Sequence, residues 1–447
     1  MASRPPAPAQ WTILKAPIAT PDNAVDPQVQ ATVTSMLLDI ERSGMDAVRR
    51  YSRDLDGWDP PTFEISAAEI AASEASLPQS FREAFVRSAA TVRLFAQHQR
   101  SLLVDTEFSP MPGLLIGHRH IPVQQVGAYL PGGRYPLVSS PLMSVVVPKV
   151  AGVDRVVTCT PPLPGGAGPS PAMTWVAATA GADAMFCLGG VPALAAMAFG
   201  LEGMGPVDML CGAGNSFVAE AKRQLFGRVG IDLLAGPSEV AVVCDDSADP
   251  ELVAADLLGQ AEHGPNSPAY LVALSAAFAE RVVAEIERQL PTLKNAAVAT
   301  AAWRDFGMVL VAGDHDEAAA MADWIACEHL EIHTANDGWY LDRLRNYGSL
   351  FLGADATVTY SDKGCTGTNH TLPTQSAARY TGGLSVAKYL KTLTWQRVTD
   401  PVAARQIALD ADAFGDVDGL QAHARTAQIR LERMAGAAAA QSGVTVA

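Results

Sequence analysis

From Val123 onward, short β-rich runs alternate with runs patterned as helices, and this alternation is the strongest constraint on what the chain can fold into. VQQVGAYL, DRVVTCT, DAMFCLGG and DMLCGAG read as strands. Between and after them, SPLMSVVVPKVAGV, TWVAATAGA, PALAAMAFG and SFVAEAKRQLFG read as helices. Apolar strands separated by helices predict parallel βαβ units. IDLLAGPSEVAVVCDD then opens a second α/β series. It continues with a helix ending near His263, the strand AYLVALS, the helix AAFAERVVAEIERQL and the strand FGMVLVAG. A further helix is expected to carry MADWIACEHLEIHT. In residues 26–51, the spacing of Val33, Met36, Leu37, Ile40, Met45 and Val48 predicts two helices broken at Ser43–Gly44, and 77–103 reads as another helix. The expected fold class is α/β, with two Rossmann-like lobes built on parallel-rich sheets. Residues 31–122 and 239–380 are assigned to one lobe and 123–238 to the other. Residues 1–30 are read as an N-terminal helical arm, and 381–447 as a mainly helical C-terminal tail.

At 447 residues the chain can hold several domains, and its net charge of −15 argues against nucleic acid or an anionic membrane as partner. The first ten residues hold no apolar h-region, and no apolar run approaches bilayer length. The six cysteines are far apart and form no CxxC pair, which reads as reduced thiols in a cytoplasmic protein.

Three clusters carry chemistry. Gln260 and His263 lie three residues apart at a helix end, so both project from one face. An amide oxygen and a neutral imidazole can both ligate a borderline metal, although a helix-terminal His has a bland reading too. Glu328 and His329 are adjacent, at what reads as a helix end. They suit a division of proton-transfer work, against the alternative of a solvated terminus. The loop from Asp362 to His370, with Asn369 between, presents groups able to bind metal or substrate, or simply to turn the chain. Two glycine-rich turns, at 131–134 and at 212–215, follow strands. Each permits close backbone approach to a dinucleotide, but neither completes GxGxxG.

These clusters occur in one order with PGGRYPLVSSPLM, GAGNSFVAEAKRQ, AGPSEV, QAEHGPNSP, CEHLEI, GTNHTLPT and LQAHARTA. Together they resemble the histidinol dehydrogenase family, from about residue 30 to about residue 432. The resemblance implies a zinc ion in each subunit, held by Gln260, His263, Asp362 and His423. It places His423 on a tail helix supplied by the partner of a homodimer, so that active sites are shared. It implies that Glu328 and His329 are the catalytic pair, that Ser238 and His370 contact substrate, and that Tyr129 and Asn215 contact NAD. The implied reaction oxidises a primary alcohol through the aldehyde to the carboxylate, with successive hydride transfers to NAD.

Departures from the family pattern bear on cofactor and substrate. Pro192 stands where histidinol dehydrogenases typically have a Gln that helps hold NAD, and Ala213 where they have Pro. The Asp362–His370 loop is one residue longer than usual by the same comparison, which weakens the assignment of Asp362. Asp418 replaces a Glu that reads the substrate's imidazole and amino end. The segment from Arg379 to Arg397 looks more like the sulfopropanediol dehydrogenase branch, as do FGLEGMGPVDML and GQAEHGPNSPAYL. That branch implies 2,3-dihydroxypropane-1-sulfonate as substrate and 3-sulfolactate as product. Arg379 and Lys388 would then read the anion, against an alternative of solvated or interfacial charges. The competing readings are an L-histidinol or related amino-alcohol or hydroxy-alcohol dehydrogenase, a degenerate non-catalytic zinc-binding homologue, and a zinc hydrolase.

Overall fold

The computed structural model describes residues 10–19, 26–132 and 136–441. Its strands are β1 (Thr12–Lys15), β2 (Thr106–Met111), β3 (Leu114–Pro122), β4 (Gln125–Tyr129), β5 (Arg155–Thr160), β6 (Ala184–Cys187) and β7 (Met209–Cys211). They continue with β8 (Gly230–Ile231), β9 (Val240–Cys244), β10 (Ala269–Ala273), β11 (Met308–Val311), β12 (His329–His333), β13 (Ser349–Leu352) and β14 (Leu390–Val398). No helix among the described residues is long and apolar enough to cross a membrane.

One compact unit comprises the described parts of Met1–Arg100 and Val123–Tyr389. It contains two sheets. The five-stranded sheet runs β6-β5-β4-β7-β8, parallel throughout. The six-stranded sheet runs β1-β11-β10-β9-β12-β13 and is parallel except for β1, which pairs antiparallel with β11 at the edge. Every residue of β9 (VAVVC) and β10 (AYLVA) is buried, as expected where helices cover both faces of a parallel sheet. The two α/β lobes expected from the sequence are therefore present. In the five-stranded sheet the chain steps outward from β4 to β5 and β6, then crosses back to β7. That reversal opens a crevice outside the carboxyl ends of β4 and β7, where open α/β sheets bind ligands.

Two local expectations need correction. The sequence assigns residues 31–122 to the lobe of 239–380, but helix Pro27–Ser43, at the start of that stretch, packs on the five-stranded sheet instead. Its buried Val29, Val33, Met36, Leu37 and Ile40 share a core with Leu194, Val218 and Leu225. An apolar stripe specifies that a helix is covered, not which lobe covers it. The helix expected to carry EHLEIHT stops at Ile325, where Ala326 turns left-handed at φ +50°. Glu328 and His329 therefore stand at the start of strand β12 rather than at a helix end. The alternation is legible in hindsight. Leu330 and Ile332 join one apolar core, leaving His329, Glu331 and His333 on the opposite face.

The second unit comprises Ser101–Pro122 and the described part of Leu390–Ala447. Here β14, β3 and β2 form an antiparallel sheet, followed by the paired helices Pro401–Asp418 and Gln421–Gln441. The tail is helical as expected, except for β14. Its sequence LKTLTWQRV is largely exposed and lacks an apolar run, so it gave no buried-strand signal.

Candidate active site

A cavity of about 1000 Å³ lies at the crevice between the two lobes of the first unit. Tyr129, Gly132, Pro161, Gly190 and Asn215 border it from the carboxyl-end loops of the five-stranded sheet, and His263 and Lys363 border it from the other lobe. Gly212, just after β7, has φ +107°, and a Cβ there would lie 2.0 Å from the Tyr129 carbonyl oxygen. Only glycine lets the two strand ends come this close. The turn is clamped from beneath. The buried Lys222 and Asp232 form an ion pair; Lys222 Nζ donates to the Gly212 carbonyl at 2.9 Å, and Asp232 accepts from the Gly212 N–H at 2.8 Å.

Asn215 caps the helix Ser216–Leu225, accepting from the N–H groups of Phe217 and Val218 at 3.1 Å each. The positive end of that helix adjoins the cavity, where a pyrophosphate is favoured. The Tyr129 hydroxyl accepts from the Gly190 N–H at 3.1 Å, fixing the start of helix Gly190–Phe199. Burial pushes the phenol up to about 12, so it stays neutral. Pro192 lies in the first turn of that helix, whose N–H groups have no intrahelical acceptor, so the ring removes no helical hydrogen bond. Gly133 and Arg134 of the other glycine-rich turn lie outside the described residues.

Glu328 and His329 are both buried, and the backbone of Glu239 orients them. Glu328 Oε2 accepts from the Glu239 N–H at 3.0 Å. His329 Nδ1 lies 3.1 Å from the Glu239 carbonyl oxygen, which can only accept, so this nitrogen carries the hydrogen. Nε2 is left with no hydrogen-bond partner, 3.5 Å from Asp362 Oδ1. Burial pushes the Glu328 carboxyl up to about 8, against the pull of His329. Burial works against charge on His329 as well, but Glu328 and Asp362 prevail and bring it to about 9. Both groups therefore hold their protons at neutral pH in the metal-free protein and release them just above it.

Asp362 ends the short helix Val358–Asp362. Burial raises its pKa, yet the attraction of His329, His370 and His263 outweighs that and holds it below the usual carboxylate range. His370 is driven down to about 4 by burial, and His263, which opens onto the cavity, is lowered by the same cause. Both imidazoles are thus neutral and available to ligate. Gln260 is buried, and its amide nitrogen has no partner. A carboxylate, a neutral imidazole and a side-chain amide, which ligates through its oxygen, suit a borderline divalent metal.

The remaining candidates lie elsewhere or at the margin. Ser238 directly precedes Glu239 and is half-buried. Arg379 and Lys388 are exposed and do not line the cavity, and the Arg379 guanidinium donates to the Trp324 carbonyl at 2.6 Å. Asp418 and His423 are exposed on the tail helices of the second unit. Sequence reasoning overlooked Glu239, Lys363 and the Lys222–Asp232 pair. Lys363 follows Asp362 directly and, among the described residues, is the cation bordering the cavity beside His263. Glu239 acts mainly through its backbone, which leaves no trace in residue type.

Comparison with known proteins agrees with this geometry. The family model for histidinol dehydrogenase matches residues 20–431. The chain is 50% identical over 407 residues to a histidinol dehydrogenase homolog of Shouchella clausii, covering 91% of this chain and 95% of that protein. It is 43% identical over 421 residues to the sulfopropanediol 3-dehydrogenase of Ruegeria pomeroyi, covering 94% and 95% respectively. The crystal structure of histidinol dehydrogenase from Elizabethkingia anophelis superposes with a TM-score of 0.86 at 30% identity, covering 93% of this chain and 95% of that one. The chain belongs to the histidinol dehydrogenase family, whose members are NAD-dependent oxidoreductases acting on CH–OH groups.

Proposed function

We propose that this enzyme oxidises a small primary alcohol through its aldehyde to the carboxylate, in successive hydride transfers to NAD, with a zinc ion bound in the active site. The observation that carries the reading is the orientation of His329. Its Nδ1–H is committed to the Glu239 carbonyl, so Nε2, 3.5 Å from Asp362 Oδ1, is the nitrogen that gains or loses a proton. That is the arrangement a general base requires.

Gln260, His263 and Asp362 would hold the metal, with His423 supplied by a second copy of the chain. A bound zinc would supply Lewis acidity toward the substrate oxygen. Tyr129 and Asn215 would hold NAD, which supplies the hydride acceptor. His329 Nε2 takes the hydroxyl proton as the carbinol carbon is oxidised. Glu328, whose pKa burial raises to about 8, then takes in its ionised form a proton from the water that adds to the aldehyde. The shared site is supported by Phe414, Val417 and Leu420, apolar side chains left exposed near Asp418 and His423.

For the substrate we favour a short anionic polyol of the 2,3-dihydroxypropane-1-sulfonate type, giving 3-sulfolactate. Lys363, at the cavity edge, is the cation best placed to meet a sulfonate. A histidinol-like amino alcohol is the second reading. It is favoured by the acid retained at Asp418 and by the engagement of Arg379 with Trp324. The test is NADH formation by zinc-loaded enzyme on racemic dihydroxypropanesulfonate and on L-histidinol. Turnover of the sulfonate alone supports the first reading, and turnover of histidinol alone refutes it.

A further inference from the structure

Behind the catalytic pair, on the same face of β12, lie Glu331 and His333. Opposite them is Asp256, on helix Pro250–Ala261 and one turn before Gln260. Glu331 is 0% exposed and His333 3% exposed. One oxygen of each carboxylate is already bound: Glu331 Oε1 accepts from the Val358 N–H, and Asp256 Oδ1 from the Thr357 hydroxyl, each at 2.8 Å. The other oxygens turn toward His333. Its Nε2 lies 3.4 Å from Glu331 Oε2 and 3.7 Å from Asp256 Oδ2.

These separations are long for hydrogen bonds. Glu331 Oε2 and both ring nitrogens of His333 have no hydrogen-bond partner. Buried polar atoms left in this state are costly, and each calls for a cause. One ligand atom from each residue falls within 4.8 Å of the others. Around a tetrahedral ion with bonds of about 2.0–2.2 Å, neighbouring ligand atoms stand roughly 3.3–3.6 Å apart. The spacing therefore fits a shared ion better than it fits direct contact. Among the described residues, the ion-pair partner of both carboxylates is His333.

We infer that Asp256, Glu331 and His333 form a second divalent-cation site of the zinc class, separate from the Gln260, His263 and Asp362 group. Two carboxylates and an imidazole suit zinc, and the open edge of Asp256 leaves room for water as a further ligand. The hydrogen bonds from Thr357 and Val358 orient the carboxylates, as outer-shell partners of metal ligands do. The consequence is mechanical. The site ties together the helix that carries Gln260, the strand that carries His329, and the helix that ends at Asp362. We assign it a positioning role.

The test strips the full-length protein with chelator, dialyses it against Zn²⁺ or Co²⁺, and counts bound metal. The wild type should retain two equivalents per chain, and His333→Asn one. Asp256→Asn, at a half-buried position, provides the second variant should the first fail to fold. His263→Asn separates this proposal from the reading of the active site. It should keep one equivalent that is lost when His333→Asn is added, together with that equivalent's Co²⁺ visible absorption. Unchanged stoichiometry in both His333→Asn and Asp256→Asn, whatever His263→Asn does, would overturn the second site.

Discussion

Asp256 offers a quantitative test that needs no substrate. In the cation-free protein its carboxyl is pushed up to about 7, against an ordinary value of 3.8. A folded-state pKa above the unfolded value means that the folded chain keeps its proton longer. Stability is therefore present below about pH 4 and falls as the pH rises toward 7. A displacement of about three units at 1.36 kcal/mol each amounts to about 4 kcal/mol. Water at the open edge of this side chain, 17% exposed, reduces that to roughly 2–4 kcal/mol. Asp256→Asn cannot ionise, and its amide oxygen can still accept from Thr357 Oγ1. In chelator, about two-thirds of that difference falls between pH 5 and pH 8, so the variant should gain roughly 1–2 kcal/mol relative to wild type over this range. Thermal midpoints at both pH values give the measurement, with the variant's advantage growing from the lower pH to the higher. Parallel pH profiles for the two proteins would refute the assignment of a strained, ionised Asp256.

Other perturbations address the catalytic and cofactor regions. His329→Ala should lower alcohol oxidation by about 10²–10⁴-fold and leave active-site zinc bound, read by NADH formation and metal content. Glu328→Gln should impair oxidation of supplied aldehyde more than oxidation of alcohol, because only the aldehyde step needs activated water; equal losses would count against this division. Lys222→Met strands Asp232 beneath the Gly212 turn and should cost about 3–5 kcal/mol, read by thermal denaturation. Gly212→Ala must force a methyl group against the Tyr129 carbonyl, so it should raise the KM for NAD and lower the melting temperature.

How far the sequence carried depends on what kind of signal each residue sends. The lobes were legible because strands such as VAVVC and AYLVA are continuous apolar runs between amphipathic helices. The active-site groups were legible as ordered motifs, but their geometry was not. Glu328 and His329 sit beyond an alanine-rich helix whose pattern seemed to continue, and the left-handed Ala326 that ends it is a residue type carrying no stop signal. Arg379 and Lys388 marked a branch of the family by residue type, yet charge alone does not say where a side chain points, and both stand at the surface. The Glu239 backbone and the Asp256–Glu331–His333 group were illegible for a shared reason. Each depends on register between segments far apart in the chain, here β9 beside β12 and helix Pro250–Ala261 facing β12. That register does more than assemble a site. His329, Glu331 and His333 share one strand face, so a shift of one residue would turn all three away together. The strand that aims the proposed base therefore also builds the cluster behind it, and a cation held there would resist the slip that disables the base.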